Sequence, residues 1–308
     1  MIKDKKGVKI PKKQKKTKTL WIVLAVFLCM VGLLVVVSWN KILGPCVEMH
    51  ANAVSVVADS SEDTFKASQT SLVYDDEGEL MFALRGEKDV YYLEYDQIPD
   101  AAKLAMISIE DKKFVNHRGF DPIAIVRAAV ALVKNAGEVT QGGSTITQQL
   151  SRNVFLTHKV SWQRKVEEIF ISIELEKKYS KEDIMEYYLN NIYFSNGYYG
   201  IQAACTGYFS CELNELSLSQ VAFLCAIPNS PSYYDPIVNF DHTIERRDRI
   251  LSNMYEDGKI NEATYLTAVR EEIVLQPSPE TKSQRNNYVD TYVYYCATRA
   301  MMEMQGFE

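Results

Sequence analysis

Histidine is scarce in this chain, and closely paired cysteine is absent. Only four histidines occur, and no second ligand lies at metal-binding spacing from His117. The six cysteines, at 29, 46, 205, 211, 225 and 296, include no C-x-x-C, which argues against a zinc ribbon or a dithiol redox motif. Cys205 and Cys211 could bridge in an oxidising exterior or stay as buried thiols. Nor is there an internal repeat. Net positive charge is lacking everywhere except the start. Residues 1–19 hold nine Lys and one Asp, yet the whole chain carries a net charge of −6. The rest is therefore strongly acidic, which excludes a basic nucleic-acid surface.

What is present begins with an apolar content of 47%, enough for a real core in one large or two small domains. Leu20 to Trp39 carries no charge over twenty residues, the length of a bilayer-spanning helix. The lysines before it place the N-terminus in the cytoplasm and the bulk of the chain outside. A cleaved leader fits less well. Ala51-Asn52-Ala53 lies too far past the run, and Pro45 spoils a lipoprotein site at Cys46. The division read from these shifts is a basic tail over 1–19, a membrane anchor over 20–39 and a polar connector over 40–69. A body over 70–280 and a C-terminal linker over 281–308 follow.

Ser71-Leu72-Val73-Tyr74 and Leu80-Met81-Phe82-Ala83-Leu84 flank Asp75-Asp76-Glu77-Gly78 and predict a hairpin, with a third short strand over 90–93. From Pro99 onward the pattern is helical. Asp121-Pro122 opens one helix, with Asp as cap and Pro at its first position. Ser144 is expected to cap another running to about Phe155. Trp162 to Lys178 reads as a long helix, and Ser180-Lys181-Glu182-Asp183 as a capping box before a helix to Asn190. Apolar helices are predicted over 216–227, 243–256 and 260–269. The body is thus mainly α.

Four polar clusters stand in order on this framework. The first is Glu110-Asp111-x-x-Phe114-x-x-His117-x-Gly119. Glu110 ends a mostly apolar stretch, a setting that suits a carboxyl for proton transfer. His117 reads best as a hydrogen-bonded structural residue. The second, Gly142-Gly143-Ser144-Thr145-Ile146-Thr147-Gln148-Gln149, falls at a predicted helix start, where free N–H groups favour anions. Third come Arg152, Lys159, Arg164 and Lys165, four cations within fourteen residues, followed by Glu168. Such charge suits a leaving group that becomes more anionic as its bond breaks. Arg164 stands four residues before Glu168, which predicts an i,i+4 ion pair. On a helical wheel Glu168 shares a face with Arg164, Ile171 and Leu175. The fourth cluster is Tyr188-Leu189-Asn190-Asn191-x-Tyr193-Phe194.

The order and spacing of these clusters resemble the peptidoglycan glycosyltransferases (glycosyltransferase family 51), as in monofunctional transglycosylases and the N-terminal half of class A penicillin-binding proteins. The resemblance spans roughly residues 70 to 300. It implies a lysozyme-like, two-lobed helical domain with a small β-hairpin at its start and one N-terminal transmembrane helix. It also implies polymerisation of lipid II into β-1,4-linked glycan, with inversion and release of undecaprenyl pyrophosphate. Glu110 would be the general base and Glu168 a second functional carboxylate. Substrate contacts would come from Asp111, Phe114, His117, Gly143, Ser144, Thr145, Thr147, Gln148, Gln149, Arg152, Lys159, Arg164, Lys165 and Asn190. Ala222 to Pro236 resembles the family's fifth motif. Ile123 to Val133, apolar but for Arg127, resembles its membrane-proximal region, or is a core helix.

No protein-held metal and no cofactor is required. A divalent cation, Mg or Mn, could assist at the pyrophosphate. The partners implied are lipid II, the growing lipid-linked glycan, the membrane and other wall-synthesis proteins, with no nucleic acid. The implied place is the cell membrane, with the catalytic domain extracellular. A transpeptidase domain would need K-T-G, which this sequence lacks. The chain as it stands reads as monofunctional, with 281–308 leading toward such a domain. Two other functions are weighed. A glycan-cleaving, lysozyme-like or lytic enzyme also uses an essential Glu, but releases no pyrophosphate for cations to meet. A non-catalytic wall-assembly scaffold has no need of Glu110 and Glu168.

Overall fold

The computed structural model describes residues 39–66, 71–74, 80–84, 91–134, 143–156 and 161–276, with single positions at 21, 24, 27, 30, 296 and 299. Met1–Asn52 and Ala53–Glu308 form two compact units. In the first, a π-helical turn at Trp39–Leu43 leads into helix α1, Gly44–Asp59, which continues into the second. Among the described residues no helix is long and apolar enough to cross a membrane. Most of the apolar run at 20–39 lies outside the described residues.

The second unit is mainly helical. Residues 40–69, read as a polar connector, are instead largely helix: α1 is followed by α2, Glu62–Lys66. Their polar composition reflects exposure on one side, for Ala53, Val57 and Phe65 are buried. Phe65 stacks on Tyr187 at 4.0 Å between ring centroids. Strands β1, Ser71–Tyr74, and β2, Leu80–Leu84, pair antiparallel, with Ser71 opposite Leu84.

The third strand expected at 90–93 does not form. Tyr91 to Glu94 has no regular structure. The Asn190 side chain takes the place of a neighbouring strand: Leu93 N–H donates to its Oδ1 and its Nδ2 donates to Leu93 O, both at 2.8 Å.

The remaining helices are α3 Asp100–Glu110, α4 Pro122–Lys134, α5 Ile146–Phe155, α6 Trp162–Lys178 and α7 Lys181–Asn191. They continue with α8 Ile201–Phe209, α9 Leu218–Ala226, α10 Phe240–Glu256 and α11 Glu262–Arg270. Their starts follow from side-chain caps. Ser161, Ser180, Ser217 and Asn261 each accept a backbone N–H from the first turn. Each such cap contributes about 1 kcal/mol. Helix α8 was not expected. It opens at Gly200, whose φ of +85° and close approach to Asn190 O suit glycine alone, and it contains Gly207 against the Tyr198 ring.

The helices pack in two sets. One comprises α3, α9, α10 and α11; the other comprises α5, α6 and α7. Helix α9 is buried from Val221 through Ala226, a run that is apolar all round. In α7 every residue from Ile184 to Asn190 is buried. Helix α4 differs, since Ile123, Val126 and Val130 stand exposed along it.

Candidate active site

Glu110 is the last residue of α3, and Asp111, with φ −155° and ψ 76°, ends the helix there. Its side chain is only 6% exposed. The apolar surroundings expected from the preceding residues are not what the carboxylate meets. Ala102, Ala105 and Met106 bury the apolar side of α3. Glu110 instead receives three donors. Arg246 Nη2 donates to Oε1 at 2.7 Å and Asn229 Nδ2 to the same oxygen at 3.4 Å. Gln149 Nε2 donates to Oε2 at 2.8 Å. The carboxylate therefore joins the two helix sets, with α3 and α10 on one side and α5 on the other.

Behind Gln149 stands Tyr188, whose hydroxyl donates to Gln149 Oε1 at 3.1 Å. Burial holds the Tyr188 phenol well above the ordinary tyrosine range, and the charge of Glu110 adds to it. Burial, and then Glu110, push the Cys225 thiol up as well. Both groups stay neutral beside the carboxylate.

Asp111 begins a second network. Its Oδ2 accepts the Ile146 N–H at 3.1 Å and lies 2.7 Å from His117 Nε2. Gly119 N–H donates to His117 Nδ1 at 3.2 Å, so Nε2 carries the proton that faces Asp111. Thr145 Oγ1 donates to Gly119 O at 2.6 Å. Thr147 Oγ1 and Lys181 Nζ both donate to Glu176 Oε1 at 2.6 Å. The first and second sequence clusters are thus bonded to each other.

Thr145, not Ser144, caps α5. It accepts the Gln148 N–H at 3.2 Å, and Gln148 Oε1 accepts the Thr145 N–H at 2.9 Å. Gly119 is required here by its φ of +93° and by space. A Cβ would come within 2.6 Å of the Ser172 backbone on α6.

Lys165 and Glu168 form a third group. Lys165 Nζ donates to Ser144 Oγ at 2.6 Å and pairs with the Glu168 carboxylate. Glu168 is 1% exposed and lies on the buried face with Ile171, Ser172 and Leu175. The ion pair expected between Arg164 and Glu168 is replaced by this i,i+3 pair. The flexible lysine stem folds back toward the α5 start, where Ser144 meets it.

Of the site residues read from the sequence, and among the described residues, Gln149 alone meets the Glu110 carboxylate directly. Arg152 is half-buried near Tyr188, and its charge acts on that phenol. Gly143 is half-buried, while Thr147 and Gln148 are fully buried in α5. Phe114 is buried core, with Lys181 Nζ 4.4 Å above its ring. Asn190 is 1% exposed and engaged with Leu93 and Glu186 O. Lys159 lies outside the described residues. Arg246, Asn229 and Tyr188 were not picked out as functional residues. A signal existed for Arg246: it shares the buried face of α10 with Thr243, Ile250 and Met254, an unusual place for a cation.

Two surface cavities, of about 480 and 410 Å³, are lined by other residues, among them Asp96 and Gln202 in the first and Thr264 and Glu271 in the second. Among the described residues no group of three or more His, Cys, Asp or Glu could hold a metal ion. The thiols of Cys205 and Cys211 are 3.7 Å apart and free.

A family model described as Transglycosylase matches residues 77–255, which hold Glu110, Gln149, Glu168, Tyr188, Asn229 and Arg246. This chain belongs to the transglycosylase family. The family drawn from the four clusters is therefore the right one. Penicillin-binding protein 4 of Bacillus subtilis is 40% identical over 243 residues, covering 78% of this chain and 38% of its own length. Penicillin-binding protein 1A of Aquifex aeolicus is 38% identical over 236 residues, covering 75% of this chain and 32% of its own. The transglycosylase chain thus spans about a third of the curated relatives it matches. A crystal structure of penicillin-binding protein 1A from Haemophilus influenzae aligns with 78% of this chain and 25% of that one, at 20% identity and a TM-score of 0.39, too low to argue from.

Proposed function

We propose that this chain is a peptidoglycan glycosyltransferase of bacterial cell-wall synthesis, polymerising lipid II into β-1,4-linked glycan. The observation that carries the reading is the Glu110 carboxylate, buried yet met by three donors, inside the residues that match the family. The two helix sets are read as the lobes of a lysozyme-like domain.

Glu110 takes the proton of the acceptor hydroxyl. The freed oxygen attacks the anomeric carbon of the donor from the face opposite the leaving group, which inverts that centre. The C–O bond to undecaprenyl pyrophosphate breaks, and its electrons stay on the departing phosphate oxygen. Lys165 and Arg152, with Arg164, offset that charge, and Glu168 holds Lys165 in place. Gly143, Ser144 and Thr145 lie at the start of α5 beside Lys165 and belong to the same anionic subsite. Asp111, Phe114, His117, Thr147 and Gln148 keep that start in position. The donor set around Glu168 is one carboxylate tied to a lysine, which does not fit a resident divalent cation. A divalent cation that acts here comes bound to the pyrophosphate.

The Lys-rich N-terminus is read as cytoplasmic, the run at 20–39 as a single-pass anchor and the body as extracellular. Trp21, Leu24, Phe27 and Met30 are apolar and exposed, as lipid-facing residues are. The exposed stripe of Ile123, Val126 and Val130 suits an approach to the same membrane. Other wall-synthesis proteins are the expected company.

Purified full-length chain in detergent is incubated with lipid II, and separately with finished glycan. Polymer from lipid II with released undecaprenyl pyrophosphate is the expected result. Cleavage of finished glycan would favour the lysozyme-like alternative. No reaction with either substrate would favour a scaffold.

A further inference from the structure

We propose that Arg246 is the positioning residue for Glu110, holding its carboxylate at a fixed place and angle for proton abstraction. The inference rests on Glu110 acting as the base in the reaction proposed above.

Three observations carry it. First, the contact is direct and buried: Arg246 Nη2 lies 2.7 Å from Glu110 Oε1, with side chains 8% and 6% exposed. Water cannot screen such a pair, so its geometry is set by the protein. Second, Arg246 is itself held. Its guanidinium sits over the Tyr234 ring at 5.0 Å, a cation–π contact that fixes the plane of the fork. Third, the grip comes from both sides. Gln149 takes Oε2 from α5, while Arg246 and Asn229 take Oε1 from the segment 229–246. Oε1 is taken by two donors, while Oε2, met by Gln149, keeps a lone pair for a substrate proton, and rotation about the final side-chain bond is opposed.

The neighbouring groups leave Arg246 alone in this role among the described residues. Asn229 and Gln149 are neutral, and Tyr188 and Cys225 are held neutral by burial. Arg152 is near Tyr188 and shows no hydrogen bond to Glu110. Glu110 also ends a helix, where its backbone does not fix the direction of the side chain. Without Arg246 a long, flexible carboxylate would lose the constraint that keeps it within reach of the acceptor hydroxyl.

The test uses the full chain with lipid II. Arg246→Lys keeps the charge and removes the fork. It should lower kcat about 10- to 100-fold while KM stays within about threefold. In a Glu110→Gln background the same substitution should cost nothing further, since there is no base left to position. Tyr234→Leu, which loosens the guanidinium without removing a charge, is the second variant and should show a weaker form of the same pattern. A spectroscopic readout is independent of activity. Infrared difference spectra, parent minus Glu110→Gln, isolate the Glu110 carboxylate stretch, and Arg246→Lys should move it. A folded Arg246→Lys with unchanged kcat, an equal loss in both backgrounds, or an unmoved carboxylate stretch would each overturn the proposal. A parent chain that makes no polymer would instead count against the reaction, and the infrared result would still decide the contact.

Discussion

Replacing Gly119 by Ala should destabilise the body severely, and the reasons separate cleanly. The residue has φ +93°, where an L side chain costs about 1–2 kcal/mol. The added methyl would also lie 2.6 Å from Ser172 C and O and 2.8 Å from Ile173 N. All three are backbone atoms of α6 and cannot rotate away. Forcing a methyl into packed structure adds about 1–3 kcal/mol. Together these give about 2–5 kcal/mol, and a Tm lowered by roughly 4–20 °C for a domain of this size. Gly197 and Gly258 supply the control, since both have positive φ and open space around the missing Cβ. Their alanine variants should lose only about 1–2 kcal/mol. Calorimetry with a matching urea titration would measure all three. A Gly119→Ala protein no less stable than Gly258→Ala would refute the claim that α6 packs on this glycine. Turnover should fall further than stability predicts, because Ser172 Oγ donates to the Glu168 carbonyl one turn earlier.

Glu110→Gln should abolish polymerisation, by about 10²- to 10⁴-fold, with the fold retained; activity within tenfold of the parent would sink the base assignment. Lys165→Met leaves Glu168 buried without its cation and should cost about 1–3 kcal/mol, less than a fully buried pair because Lys165 is 39% exposed. Adding Glu168→Gln should restore the melting temperature but not the turnover. Asp121 accepts the Ile123 and Ala124 N–H groups at the start of α4. Burial pushes its carboxyl up, but these bonds and Lys113 outweigh that and hold it below the ordinary 3.8. The stability it contributes is therefore present in full above that value and lost as pH falls below it. Asp121→Asn should be less stable than the parent at pH 7, with the gap closing in acid melts. Protease added to intact spheroplasts should remove the body and leave the anchor; a protected body would reverse the proposed topology.

Local signals in the sequence were enough for most helix boundaries. Ser180 announces its helix because a cap is a contact between residues three apart, whereas the cap at Asn261 was overlooked and its helix was begun two residues early. The same reasoning erred by one residue at Ser144, since Ser144 and Thr145 are both competent caps. What decides between them is Gly119 O, which lies 26 residues before Thr145. Helix α8 was hidden by its own glycines, which serve close packing against Asn190 and Tyr198. The site was legible where motif and chain neighbourhood coincide, as at Glu110 and Asp111. It was illegible where the partner is remote: Arg246 is 136 residues from the carboxylate it meets. The Lys165–Glu168 pair was missed for a different reason. Arg164 has the better helical spacing, but the position of Ser144 draws lysine in.

The amide that replaces a strand partner has a mechanical consequence. Leu93 is held to Asn190 by two bonds, and Glu186 on the same helix takes the Tyr92 hydroxyl at 2.5 Å and the Tyr95 N–H at 2.7 Å. These four bonds sit within four residues of chain and two side chains of α7. Tension applied to the chain before residue 91 would reach them together, so they resist as a group instead of opening one at a time. If the N-terminus is fixed in a membrane, drag on the body is borne first by Val57 and Phe65, held to Lys178, Tyr187 and Asn191, and by this clamp once those contacts part. Asn190→Ala should then lower the force at which the segment peels from α7 far more than it lowers the melting temperature.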